Sequence, residues 1–199
     1  MKKILTLALA ALSFFGAATA ANNTKKAAPK DTLVFTTIVS APVTSIKNQN
    51  NSGTCWAYSS LAFLESEALK KNPSLKPADV DLCESFVVAK TYNDRADRAV
   101  RTHGDVSFSQ GGSFYDVIYC MDRYGLVPEG TMPYPKTLYG DSLFNFKHFF
   151  PGLEAFVGSV AKGDHKTINP IWKKTVAQMV DGYFGEAPKT FKVKGKEYT

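Results

Sequence analysis

The chain has 199 residues, of which 44% are hydrophobic and 21% charged, so it can bury a real core. Its net charge of +6 is spread over the first residues, a short arm and a basic tail. No basic helix interleaved with aromatics stands out, which argues against a nucleic-acid partner.

The chain opens Met1-Lys2-Lys3, followed by a mostly apolar run from Ile4 to Ala18 and the small-residue site Ala18-Thr19-Ala20. A positive start, a short apolar stretch and an A-x-A site describe a secretory signal peptide over residues 1–20. The run is too short and Ala-rich to be read first as a membrane span. No cysteine follows it to carry a lipid anchor, and no later segment is apolar enough to span, so no membrane partner is expected once the signal is cleaved. Export to the periplasm or medium is therefore expected. Residues 21–31 are polar, without apolar periodicity, and read as a flexible arm. The globular domain is then 32–199, the size of one domain.

Thr32 to Val39 is β-rich and predicts a strand, followed by the loop Ser40 to Thr54. Cys55 to Lys71 reads as a helix, with Leu61, Leu64, Ala68 and Leu69 at helical spacing and a stop at Asn72-Pro73. A second helical pattern covers Asp79 to Gly104, with Phe86, Val87, Tyr92, Ala96 and Val100 inward. Ser109-Gln110-Gly111-Gly112-Ser113 is a loop whose paired glycines allow close backbone approach by a ligand or another strand. Ser113 to Tyr124 predicts a third helix stopped by Gly125, and an extended, turn-rich segment follows to Pro135. The aromatic-dense stretch from Leu138 reads as a loop, then a helix over Phe149 to Lys162. Asn169 to Phe184 predicts a further helix, and the alternating Lys189 to Tyr198 a strand.

The chemistry concentrates at Gln49…Gly53-Thr54-Cys55-Trp56. A free cysteine is most often a small core residue. Here the loop before Cys55 is polar, the helix begins almost at the cysteine, and Gln49 and Trp56 flank it. A thiol on the first turn of a helix meets the positive end of the helix dipole, which favours a nucleophilic thiolate. A glutamine amide on the preceding loop can donate to a developing oxyanion. Cys83 and Cys120 stand among apolar residues. They either pair or stay buried and reduced, and the surroundings favour the second. With no C-x-x-C and no Cys/His cluster, neither a zinc site nor any other metal site is expected.

These blocks resemble the papain-like cysteine peptidases, in the branch of bleomycin hydrolase and the bacterial aminopeptidase C. Gln49…Cys55-Trp56 is similar to the oxyanion glutamine and nucleophile of that family. Ser109 to Ser113, with Tyr124-Gly125-Leu126 and Pro133-Tyr134, is similar to its substrate-binding Gly-Gly loop, next helix and following turn. Asp81-Leu82-Cys83-Glu84 resembles its "L-S-E" helix start, with Cys83 in place of the serine. The resemblance implies an α+β, papain-like fold, mainly the helical left half with the start of the β-rich right half. It further implies Cys55 as nucleophile, Gln49 in the oxyanion hole, and Gly111, Gly112 and Trp56 binding a peptide substrate without any cofactor. Homo-oligomers occur in the branch, which leaves a homo-oligomer open for the full-length protein. Two departures stand out. Ser52 replaces the cysteine that forms a disulfide in the papain group. The family's base, a His about 130–150 residues after the Cys, has no counterpart, because His103, His148 and His165 all come earlier and none lies in an apolar strand. His103 reads as a cap or surface group, His148 as packed and His165 as solvated. The chain therefore reads as the first half of a peptidase, whose aromatics from Tyr139 to Phe156 would lack part of their cover. A peptide-binding protein that keeps the groove without the base is the alternative.

Overall fold

The computed structural model describes residues 33–133, 143–163 and 167–199. The expected signal peptide and arm, Tyr134, Tyr139 and His165 lie outside the described residues. Contacts divide the chain into Met1–Ile38 and Val39–Thr199. Of the first unit only residues 33–38 are described, irregular and without a ladder, with Leu33, Val34, Phe35 and Ile38 exposed. The strand expected over Thr32 to Val39 is thus not formed along its described residues. Its residues have the right β-propensity, but a strand is stable only when paired.

The second unit is helical. Among the described residues five α-helices run in order: α1 (Cys55–Lys71), α2 (Glu84–Arg101), α3 (Phe114–Tyr124), α4 (Phe149–Lys162) and α5 (Ile171–Phe184). A short antiparallel hairpin, β1 (Phe191–Val193) and β2 (Lys196–Tyr198), follows them. The class is α+β, dominated by helices, with one small antiparallel sheet after them. Among the described residues no helix is long and apolar enough to cross a membrane.

The central element is α2, which packs on α1, α3, α4 and α5. Phe86, Val87, Tyr92, Ala96 and Val100 are buried as their helical spacing predicts. The helix starts five residues later than the pattern suggested. The cause is pairing: the Cys83 N–H donates to the Val127 carbonyl at 3.0 Å and the Glu129 N–H to the Asp81 carbonyl at 2.9 Å. Residues 81–83 are thereby held extended against 127–129, and Leu82 bridges Pro128. At α3 the Asp116 carboxylate accepts both the Ser113 N–H (2.7 Å) and the Ser113 hydroxyl (3.0 Å), a capping box that fixes where the helix begins.

Lys189 to Tyr198 is not one strand but a hairpin. Lys194 and Gly195 both take positive φ (49° and 80°), the requirement of a two-residue type I′ turn, so the alternating run folds back on itself. Of the aromatics expected to lack part of their cover, three lie in the core, and Phe149 and Phe156 are half-buried against it. Phe144, Phe146 and Phe150 are buried with Tyr92, Phe108 and Phe184. Phe149 stacks on Tyr183 at 4.2 Å between centroids, and Tyr92 meets Phe150 at 5.3 Å. Helices α2 and α5 supply the cover.

Candidate active site

Cys55 is the first residue of α1 and is exposed. Thr54 sits at the cap position, fully buried, and makes no side-chain cap. Its hydroxyl instead lies 2.6 Å from the Ser52 hydroxyl, and its carbonyl accepts the N–H groups of Ala57 (2.9 Å) and Tyr58 (3.3 Å). The Cys55 N–H has no acceptor among the described residues. An open backbone donor at the positive end of a helix therefore stands beside the exposed thiol.

The loop in front of Cys55 is wound by its own polar groups. The Gln49 amide Nε2–H donates to the Ser52 carbonyl at 2.7 Å, and the Ser52 hydroxyl donates back to the Gln49 carbonyl at 2.8 Å. Asn48 Oδ1 accepts the Asn50 N–H at 2.8 Å, which supports Asn50 at φ 49°. The Gln49 amide carries two N–H groups, and this pattern uses one.

The Ser109–Ser113 loop lies against this segment. Gln110 joins the two: its Oε1 accepts the Gly53 N–H at 2.8 Å, and its carbonyl accepts the Trp56 indole N–H at 3.0 Å and the Tyr92 hydroxyl at 3.2 Å. The two glycines have different roles. A Cβ on Gly112 would sit 2.6 Å from the Trp56 ring, so only glycine fits. A Cβ on Gly111 would meet nothing within 4 Å, so this side of the loop is open to a ligand. Arg95 donates to the Gly111 carbonyl and, at 3.4 Å, to the Ser109 hydroxyl. The structure therefore brings Gln49, Cys55, Trp56, Gly111 and Gly112 into one locality. Trp56 is buried there, its ring under Gly112.

Two further anchors hold the loop before Cys55. Asn51 forms a parallel bridge with Asn145, and its carbonyl accepts the Phe146 N–H at 2.9 Å. Upstream, Lys47 Nζ donates to Glu84 Oε1 and the Leu82 carbonyl, both at 2.8 Å. It lies 2.7 Å from Asp81 Oδ1 as an ion pair outside hydrogen-bond geometry and 3.7 Å from Glu65 Oε1. Glu65, buried on α1, also accepts the Leu82 N–H at 2.8 Å and the Thr44 hydroxyl. Burial pulls the Lys47 ammonium down, but its pairing with Asp81 and Glu84 and the charges of Glu84 and Glu65 outweigh it and push it up.

Burial pushes the Glu84 carboxyl up to about 7, against the opposing pull of Lys47. A carboxyl raised from 4.5 to about 7 binds its proton more tightly when folded. Its stabilising contribution is therefore complete below pH 4.5 and is lost as pH rises through about 7. Urea midpoints are expected to fall between pH 5 and pH 8, and Glu84→Gln should flatten that slope. An unchanged slope in the variant would remove Glu84 as its source.

Family comparison decides what this arrangement belongs to. The profile of the Peptidase C1-like family matches residues 2–142, most of the chain. The chain belongs to the Peptidase C1-like family. This family lies within the papain-like cysteine peptidase superfamily, and its matched span holds both the Cys55 helix and the Gly-Gly loop. Among curated proteins, the chain is 27% identical over 135 residues to "Aminopeptidase G" of Lactobacillus delbrueckii subsp. lactis, covering 57% of this chain and 28% of the relative. It is 25% identical over 150 residues to "Cysteine proteinase 1, mitochondrial" of Saccharomyces cerevisiae, covering 66% of this chain and 30% of that protein. The chain thus spans less than a third of the length of these relatives.

Within this Peptidase C1-like chain the other cysteines are set apart from Cys55. Cys83 and Cys120 are buried and free, as their apolar neighbours predicted. Burial, with Glu129 nearby, pushes the Cys83 thiol up to about 11; burial, with Asp94 nearby, pushes Cys120 up to about 12. His103 is exposed just beyond α2, at φ 52°. His148, expected to be packed, is exposed at the cap position of α4, because its neighbours Phe146 and Phe150 take the inward positions. Neither imidazole hydrogen-bonds Cys55. Sequence reasoning missed Gln110, Arg95, Lys47, Glu65 and Glu84. The one available signal was that a buried helix face at Leu61, Glu65 and Leu69 carried a carboxylate in need of a partner.

Proposed function

We propose that this chain carries the nucleophile-bearing part of a cysteine peptidase of the bleomycin hydrolase and aminopeptidase C type. The observation that carries the reading is Cys55, exposed at the uncapped start of α1 and bolted through Gly53 and Trp56 to the Gly111–Gly112 loop. In this reading an extended peptide lies along Gly111 and Gly112, and the Cys55 thiolate attacks its carbonyl carbon. The oxyanion takes hydrogen bonds from the Cys55 N–H and the Gln49 amide. The C–N bond breaks, the amine leaves with a proton, and water hydrolyses the thioester to restore the thiol. We also propose that Met1–Ala20 directs export, and that any homo-oligomer belongs to the full-length protein.

The test begins with the thiols. Iodoacetamide at pH 6 is expected to label Cys55 first, because Cys83 and Cys120 are buried and their thiols pushed up. Preferential labelling of either buried cysteine would overturn the assignment. A second reading, peptide binding without turnover, is favoured by one observation: no imidazole hydrogen-bonds Cys55 among the described residues. General acid–base help is worth about 10²–10⁴-fold. Aminoacyl-fluorophore turnover that Cys55→Ala abolishes decides for the peptidase; binding of peptide without turnover decides for the second reading.

A further inference from the structure

We infer that Gln110 is a positioning residue that sets the register between the Cys55 thiol and the peptide-binding loop; the inference rests on the reading of Gly111–Gly112 as that loop. The Gln110 side chain and its carbonyl hold two different points of the Cys55 segment. Oε1 takes the Gly53 N–H at 2.8 Å, two residues before the thiol. The carbonyl takes the Trp56 indole N–H at 3.0 Å, one residue after it. The segment containing Cys55 is therefore gripped on both sides by one residue of the neighbouring loop. The fit is close: a Cβ on Gly53 would fall 2.7 Å from the Gln110 Cβ, so glycine is required for the approach. The loop end of the clamp is itself fixed. Tyr92 OH donates to the same Gln110 carbonyl at 3.2 Å from the core, and Arg95 holds the next carbonyl, that of Gly111.

This arrangement separates two properties of the site. The reactivity of Cys55 toward a small reagent depends on α1 and on exposure, neither of which Gln110 supplies. Reaction with a peptide requires the thiol and the Gly111–Gly112 edge to be in register at once. A misplacement of about 1 Å is worth up to about 100-fold in such a reaction. The acceptor Oε1 is the group that matters, so a carboxylate in its place keeps the bond to Gly53 and an alkyl side chain of similar size loses it.

The experiment compares alkylation of Cys55 in the full chain by iodoacetamide and by a peptidyl chloromethyl ketone. The unsubstituted chain is expected to prefer the peptidyl reagent. Gln110→Leu should cut its rate at least tenfold and leave the iodoacetamide rate within about twofold. Gln110→Glu should keep the unsubstituted ratio. In the unsubstituted chain the Gly53 amide should exchange with deuterium more slowly than the Cys55 amide, a readout that holds even if the leucine variant fails to fold. A ratio in Gln110→Leu equal to the unsubstituted one overturns the inference. So does a glutamate variant that behaves like leucine, or an unprotected Gly53 amide. If the unsubstituted chain shows no peptidyl preference at all, the peptide-binding reading falls first and the inference with it.

Discussion

Lys47→Met is expected to cost about 3–5 kcal/mol of stability near pH 8, the usual penalty for stranding buried charge. The methionine keeps most of the apolar stem, so the loss reports the ammonium. Lys47 is the cation facing Glu65, Asp81 and Glu84, and two of those carboxylates are buried. Without it Glu84, already raised to about 7, rises further. The penalty is therefore expected to shrink as pH falls toward 5 and Glu84 takes up its proton. Urea unfolding of both chains at pH 5 and pH 8 measures it. A difference below about 1 kcal/mol at both pH values would show that the cluster is solvated and contributes like a surface pair. The Lys47→Met, Glu84→Gln double variant should recover part of the loss, because it removes the charge that the single variant strands. The effect reaches the candidate site through the chain. Lys47 pins the start of the loop that ends at Cys55 to the first turn of α2, so its removal should also raise amide exchange from Asn48 to Gly53.

The helices of the second unit and the placement of Cys55 at the start of α1 were legible in the sequence because both are local. Cys55–Lys71 carries its apolar residues at helical spacing, and Ser113–Asp116 and Gly125 punctuate α3. What the sequence hid depends on pairing between distant residues. Thr32 to Val39 has the composition of a strand, yet nothing in a local window says whether a partner strand is present. Lys189 to Tyr198 alternates as a strand does, and Lys194-Gly195 is not among the strongest hairpin signals such as Asn-Gly, although its two positive φ values make the same turn. The later start of α2 follows from the pairing of 81–83 with 127–129, which no window shorter than the whole chain contains. The clamp at Gln110 was invisible for the same reason. It joins residues 57 apart, and a lone glutamine before two glycines carries no chemical signature.

Phe146→Ala is the second large effect, expected at about 3–5 kcal/mol. Phe146 is 2% exposed and lies among six rings: Tyr92, Phe144, Phe149, Phe150, Tyr183 and Phe184, all between 5.4 and 6.3 Å away by centroid. These rings come from α2, α4, α5 and the segment before α4, so no single element can move in to fill the space. The cavity term is therefore expected to be near its full size. Phe149 offers the contrast. It stacks on Tyr183 at 4.2 Å but is only half-buried, so Phe149→Ala leaves a smaller void and should cost less. The backbone adds a second consequence. The Phe146 N–H is bonded to the Asn51 carbonyl at 2.9 Å, and Tyr183 OH accepts the Asn145 N–H at 2.8 Å, so packing at this ring holds the loop before Cys55. Collapse around alanine should loosen that bridge and change the alkylation rate of Cys55, whereas Phe149→Ala should leave the rate unchanged. Phe146→Leu keeps much of the volume and should cost less than about 1.5 kcal/mol. Urea melts on the three variants, with Cys55 alkylation measured below the transition, separate the two effects. A loss in Phe146→Ala no larger than that in Phe149→Ala would mean that the aromatic cluster does not form the core that anchors the loop before Cys55.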